Sequence, residues 1–157
     1  MRKRAKGAKG FTVAELITVV VIIGILASMA LPVARFGFRR QKELELRSRL
    51  RRITEAIDQY HDMRVKKTIK DPEEVGQNGY PKDLDELVKG VEDVNGVKVK
   101  FLRPRDLIDP MTGRAEWIVR STSDDLDATS TDGNNVFDVH STSTALALDG
   151  KTRYNEW

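Results

Sequence analysis

The sequence predicts an α+β protein in which a long N-terminal helix, membrane-spanning over its first half, packs on a small antiparallel sheet. Three observations predict it. Phe11 opens an apolar run to Ala34 in which Glu15 is the only charge. Leu46, Leu50, Ile53, Ile57 and Tyr60 then recur three or four residues apart, one stripe of a helix with 3.6 residues per turn. Beyond residue 68 the pattern changes to short alternating segments set between Gly, Pro, Asn and Asp clusters.

Residues 1–10 carry Arg2, Lys3, Arg4, Lys6 and Lys9 and no acid. They are read as a leader outside the fold, and five cations favour the cytoplasmic side of a membrane. The segment Leu16 to Ala34 has no ionisable side chain. About 20 apolar residues at 1.5 Å rise make roughly 30 Å of helix, enough to cross a bilayer core. A secretory signal would have a shorter apolar core, with its small-residue cut site after that core. Here the small residue, Gly10, lies before it.

Glu15 is the misfit. A charge at the membrane centre costs roughly 2.5–3.5 kcal/mol on insertion scales and calls for a partner. The run contains no Lys, Arg or His. A cut between Gly10 and Phe11 makes a cation locally, because the new amine on Phe11 lies one helical turn from Glu15. That amine, or its copy on a neighbouring subunit, neutralises the acid.

Lys9-Gly10-Phe11-Thr12-Val13-Ala14-Glu15-Leu16 resembles the class III signal of type IV pilins and type II secretion pseudopilins. The resemblance implies that a prepilin peptidase cuts after Gly10 and N-methylates Phe11. It implies that Glu15 pairs with the N-terminus of an adjacent subunit during filament assembly. It also implies a pilin-like fold and an inner-membrane, single-pass topology, with the N-terminus cytoplasmic and the C-terminal domain periplasmic. Charge alone leaves orientation open, since Arg35, Arg39, Arg40 and Lys42 follow the span. Gly24 and Pro32 are the helix weak points, proline because it removes a backbone donor. In filaments of this family the matching stretch is often unwound, so Gly24 to Pro32 is expected to lose helix on assembly.

The expected organisation is a leader at 1–10, a transmembrane and assembly helix at 11–34, its amphipathic continuation at 35–67, and a globular region at 68–157. The continuation carries Arg47, Arg49, Arg51, Arg52, Glu55 and Asp58 off the apolar stripe. A solvated surface and a subunit contact are both open readings of that arginine-rich face. Asp71-Pro72 and Gly76 to Gly79 mark a loop, and Asp83 is an N-cap for a short helix through Leu87. Tyr80-Pro81 before a Leu-containing helix is similar to the major pseudopilins. Strands are expected over Val97–Leu102, Ala115–Arg120 and Val136–His140, with turns at Asn95-Gly96, Asp109 to Gly113 and Asp149-Gly150. Ser121 to Asn135, with four aspartates and no aromatic, reads as a mobile loop. Trp157 is expected to pack against the domain.

The formal charge of +3 misleads about partners. Without the five leader cations, 22 basic residues remain against 24 acidic ones, a balance near −2. Nucleic-acid binding therefore has no support in the charge. There is no cysteine, so no disulfide is available to an exported domain.

No cofactor is expected, and calcium is the one metal the acids invite. An EF-hand loop counted from Asp125 puts Ser130 where glycine belongs. Major pseudopilins often bind calcium in a C-terminal loop, and Ser141 with Asp149-Gly150 echoes that loop without its later acidic pair. Asp138, His140 and Ser141 suggest a hydrolase, but neighbouring strand residues point to opposite faces and triad members must converge. His61 has no metal-spaced partner and reads as structural. The chain is expected to be a peptidase substrate and not an enzyme.

The resemblance implies a filament subunit, most like the major pseudopilins of type II secretion. Its partners are copies of itself, prepilin peptidase, minor pseudopilins and the inner-membrane assembly platform. A type IV pilin for adhesion, motility or DNA uptake is the alternative, weakened by the missing disulfide loop. A third reading is an adhesin or sensor anchored by the helix, which has no use for Glu15.

Overall fold

A computed structural model describes residues 10–70, 76–124 and 131–157, without the side chains of 29–32 and 77. The fold is α+β, with one long N-terminal helix and small antiparallel sheets. Contacts divide the chain into two units, one ending at Arg39 and the other Arg40–Trp157.

In the first unit the chain enters helix α1, Val13–Val65. Thr12 caps it: the Glu15 backbone N–H donates to Thr12 Oγ1 at 3.2 Å, and Leu16 N–H to Thr12 O at 3.1 Å. The Thr18 and Ser28 hydroxyls donate back to the carbonyls of Ala14 and Ile25 at 2.9 and 2.7 Å. The Thr12, Thr18 and Ser28 hydroxyls along the apolar run are thus met by backbone groups of the helix, as a lipid environment requires. The backbone stays helical from Gly24 through Pro32, so the expected weak points do not break the helix in this single chain.

In the second unit α1 contributes the apolar stripe read from the sequence. Leu46, Ile53, Ile57 and Tyr60 are fully buried, and Leu50 is half-buried against them. Ile53, Ile57 and Tyr60 pack with Ile69, Leu87, Val91, Leu102, Leu107, Val136 and Val139. Leu46 packs with Ala147 and Tyr154, beside Trp117 and Trp157. The Tyr60 hydroxyl donates to Glu86 Oε1 at 2.6 Å. Burial first, and then that carboxylate, push its pKa above the usual phenol range.

Helix α2, Leu84–Lys89, starts where Asp83 Oδ1 accepts the Glu86 N–H at 2.8 Å. An Asp83→Ala change is expected to cost about 1 kcal/mol, read as a lower urea midpoint at unchanged m-value. Gly90 ends the helix at φ 79°, where a Cβ would collide with Val99 O. Strands β1, Val91–Glu92, and β2, Lys98–Val99, pair antiparallel across a turn closed by Asp93, whose Oδ1 accepts from Asn95 and Val97 N–H.

The expected strand Val97–Leu102 is cut short after Val99. Phe101 and Leu102 donate their N–H groups to Leu87 O at 3.0 and 3.1 Å instead of to a strand. That bend turns Leu102 into the core and sets Phe101 edge-on to Tyr60 at 5.5 Å. The 3-10 turn Pro104–Leu107 follows. The Asp109 turn closes with Asp109 N–H to Arg114 O, which delays the next strand, β3, to Trp117–Arg120. Strand β4 is Asp138–Ser141, two residues later than expected at its start, because Val136 N–H donates to Pro81 O. The β3 and β4 strands pair antiparallel, Trp117 with Ser141 through Arg120 with Asp138. The one small sheet expected is therefore two separate two-stranded ribbons among the described residues.

The arginine-rich face corrects another expectation. Arg49 Nη1 meets Asp106 Oδ1 at 2.6 Å and Arg105 O at 2.8 Å, while Arg52 reaches the same Asp106 oxygen at 3.2 Å. Arg47 lies over the Trp157 ring, 4.3 Å from its centre. These three arginines fasten the domain to its own helix, and Arg51 remains exposed. Trp157 packs as expected, with its edge toward Tyr154 and its Nε1–H donating to Thr152 Oγ1 at 3.1 Å.

Both ends of the expected Ser121 to Asn135 loop are held by hydrogen bonds, while residues 125–130 lie outside the described residues, as does Asp71-Pro72. Thr122 and Asn135 exchange two hydrogen bonds, Asp124 Oδ2 accepts Ser121 N–H, and Asp132 accepts from the Ser123 hydroxyl and Asn134. The Ser123 hydroxyl, then the Asn134 N–H, hold the Asp132 pKa down at about 2. A depressed carboxylate stabilises the fold above its ordinary pKa and lets go as pH falls through the lowered one. The Asp132 carbon signal in NMR should therefore titrate near pH 2, and the Ser123 contact should persist at pH 4.

Candidate functional site

The candidate site is the first turn of α1 and the apolar surface that follows it. Gly10, Phe11 and Thr12 precede the helix. Gly10 is exposed, and a Cβ built on it would meet nothing within 4 Å. Packing in this chain therefore does not ask for glycine there. Phe11 is 79 % exposed. One turn on, Glu15 occupies the third helical position after the Thr12 cap, and it is exposed.

Thr12 is a residue to which sequence reasoning gave no role. The Thr-x-x-Glu spacing was its signal, since a capping threonine bonds the N–H three residues on. The cap holds Glu15 in the first turn, where unpaired N–H groups give the helix end a partial positive charge. That field is worth roughly 0.3–1 kcal/mol to a carboxylate. It is smaller than the roughly 2.5–3.5 kcal/mol cost of a charge at the membrane centre. The helix end offsets part of the burden and leaves a cation still wanted.

Behind Glu15 the helix presents apolar surface on every side. Leu16, Ile17, Val20, Ile22, Ile23 and Leu26 are each more than half exposed. The helix is long and apolar enough to cross a membrane, and none of its apolar window is buried within the chain. Soluble monomers rarely leave an apolar patch of that size uncovered, and such a patch marks a membrane or protein contact.

The other candidates are placed differently. Ser141 is fully buried and donates to Asp109 Oδ2 at 2.6 Å. Asp149 is exposed and accepts from the Thr152 hydroxyl at 2.6 Å and from Lys151 N–H at 2.8 Å. The two calcium candidates are thus engaged with different partners. Among the described residues, no three His, Cys, Asp or Glu side chains are grouped to hold a metal. On β4, Val139 and Ser141 are buried while Asp138 and His140 are half-exposed, so the strand faces the serine away from the histidine. His140 Nδ1 is 2.6 Å from Trp157 O, and its Nε2 lies 3.6 Å from Asp138. His61 stacks on Tyr80 with ring centres 4.2 Å apart, a packing role.

No protein-family model matches the chain, and neither does any curated protein or solved structure.

Proposed function

We propose that this chain is a structural filament subunit, most like the major pseudopilin of a type II secretion system. In this reading prepilin peptidase removes residues 1–10 and methylates Phe11, and the subunit then polymerises through its N-terminal hydrophobic helix. One observation carries it. A lone carboxylate sits in the first turn of α1, five residues after an open glycine and at the head of an apolar stretch that the chain leaves uncovered.

The physical cycle follows from that arrangement. The bilayer covers the Phe11 to Ala34 surface in the monomer. In the filament neighbouring helices cover the same surface, so little apolar area meets water in transfer. Glu15 finds its counter-charge in the new Phe11 amine of an adjacent copy. The inner membrane, minor pseudopilins and an assembly platform are the partners this reading requires. Calcium stays a secondary proposal, with Ser141 and Asp149 as its weak anchors. The absence of cysteine favours a secretion filament over a disulfide-bearing type IV pilus.

Mass spectrometry of the native N-terminus tests the reading. The mature chain is expected to start at Phe11 with one added methyl group. Native protein that keeps residues 1–10 would defeat it. Because none of the described residues packs on Gly10, Gly10→Ala should leave the fold unchanged, so any loss of cutting reports the peptidase's own requirement.

A further inference from the structure

The apolar run ends in a short collar with a composition of its own. From Val33 to Lys42 the chain holds Arg35, Arg39, Arg40 and Lys42 and no acid before Glu43. Phe36 and Phe38 are 66 % and 69 % exposed, and Arg35 and Arg39 are exposed beside them. Arg35 and Arg39 are one turn apart and share a helix face. At about 100° per residue, Phe36 lies on one side of that face and Phe38 on the other.

We propose that Arg35, Phe36, Phe38 and Arg39 dock onto the anionic headgroups of the leaflet at the C-terminal end of the span. Three considerations choose that occupant. The first is position. The collar begins one residue past Ala34 and rises about 7 Å by Arg39. That matches the headgroup layer, about 5–7 Å on each side of a core of roughly 30 Å. The second is charge, since Arg35, Arg39, Arg40 and Lys42 all precede the first acid, Glu43, and a stretch of net positive charge is complementary to phosphate-bearing lipid. The third is shape. The four side chains cover one broad face of roughly 160°, with an aromatic ring on either flank of the two arginines, so the rings can enter the acyl boundary while the cationic ends reach outward. The arginine stems lie along the apolar boundary and their guanidinium ends reach the phosphates.

The inference rests on the membrane-spanning part of the proposed function and not on polymerisation. It also bears on assembly, because each subunit leaving the bilayer must give up these headgroup contacts.

The test uses the full chain reconstituted in phosphatidylcholine bilayers containing phosphatidylglycerol. Spin-labelled forms of the two lipids compete for the sites around the helix. A preference for phosphatidylglycerol is expected, weakened at high salt. It should fall by about fivefold for each collar arginine replaced, because each cation near such a surface is worth about a factor of five. Arg35→Gln with Arg39→Gln should therefore lose it, and Arg35→Lys with Arg39→Lys should keep it. Cations at residues 2–9 are the same in all variants, so their share cancels in the comparison. A preference unaltered by the glutamine pair overturns the proposal. So does one that appears only at high protein density together with cross-linked copies, which would make the collar a contact between chains. Chain released by an alkaline wash removes the spanning reading as well. Chain that resists the wash but shows no lipid preference removes this inference alone.

Discussion

In the proposed filament, replacing Glu15 with Ala is expected to abolish assembly while the monomer stays in the membrane. The expectation follows from opposing terms. Removing a lone carboxylate relieves up to roughly 2.5–3.5 kcal/mol of insertion cost, so membrane retention improves. The same change removes the only charge in the apolar run that a neighbouring Phe11 amine can meet. Each subunit entering the filament then carries an unpaired ammonium into an apolar bundle. A buried charge without its partner costs about 3–5 kcal/mol, two or more orders of magnitude in each addition step. Electron microscopy of sheared filaments, with membrane fractionation of the same cells, reads both halves. Glu15→Gln should behave as Ala does, because the need is for charge and not for shape. A chain that merely anchors an adhesin or sensor would be indifferent to both changes.

The largest effect on stability is expected at Asp109. Its side chain is fully buried, with Oδ1 accepting Met111 N–H at 2.7 Å and Oδ2 accepting the Ser141 hydroxyl at 2.6 Å. It joins the turn before β3 to the end of β4. Asp109→Ala leaves both donors without that acceptor, and hydrogen bonds to charged groups contribute about 1.5–3 kcal/mol each. A loss of about 3–5 kcal/mol is expected, a large part of the 5–15 kcal/mol typical of a folded domain. Urea unfolding of the full chain in detergent measures it. Adding Ser141→Ala to Asp109→Ala should recover about 1 kcal/mol, because it removes one of the orphaned donors. Equal stabilities of the single and double variants would show either that Ser141 finds another acceptor or that losing the Ser143 N–H to Ser141 Oγ bond, 3.0 Å long, offsets the gain.

Asp149 makes a useful contrast. It was singled out with Ser141 as a metal candidate, yet it is exposed and holds its own turn through Thr152 and Lys151. Those hydrogen bonds, Thr152's hydroxyl foremost, lower its pKa without burial. The sequence shows an acid beside glycine in both a turn and a ligand loop, and only the surroundings separate them.

How far the chain could be read in advance depended on the range of the interactions involved. The span, the apolar stripe from Leu46 to Tyr60, the Asp83 cap and the Asn95-Gly96 turn all rest on neighbours within a few residues. Periodicity and cap chemistry report such contacts directly; the structure bears out the stripe, the cap and the turn, and for the span it shows a helix long and apolar enough to cross a membrane. The strand ends did not follow. Leu102 leaves the strand because Leu87 O, fifteen positions earlier, takes its N–H, and Val136 is held by Pro81 O. No local pattern carries that information.

The amino-acid sequence alone determined where apolar surface must be hidden: an unbroken run before Ala34, one helical stripe after it, and a single acid needing a cation. Those are properties of order and composition, and side-chain solvation enforces them whatever the fold. Only tertiary structure decided which arginines are spent within the chain, since Asp106 and Trp157 lie more than fifty residues from Arg49 and Arg47. It also decided that Ser141 belongs to Asp109 and that two ribbons replace one sheet. Long-range partners compete for each hydrogen bond, and the winner is set by packing that no short stretch of sequence contains.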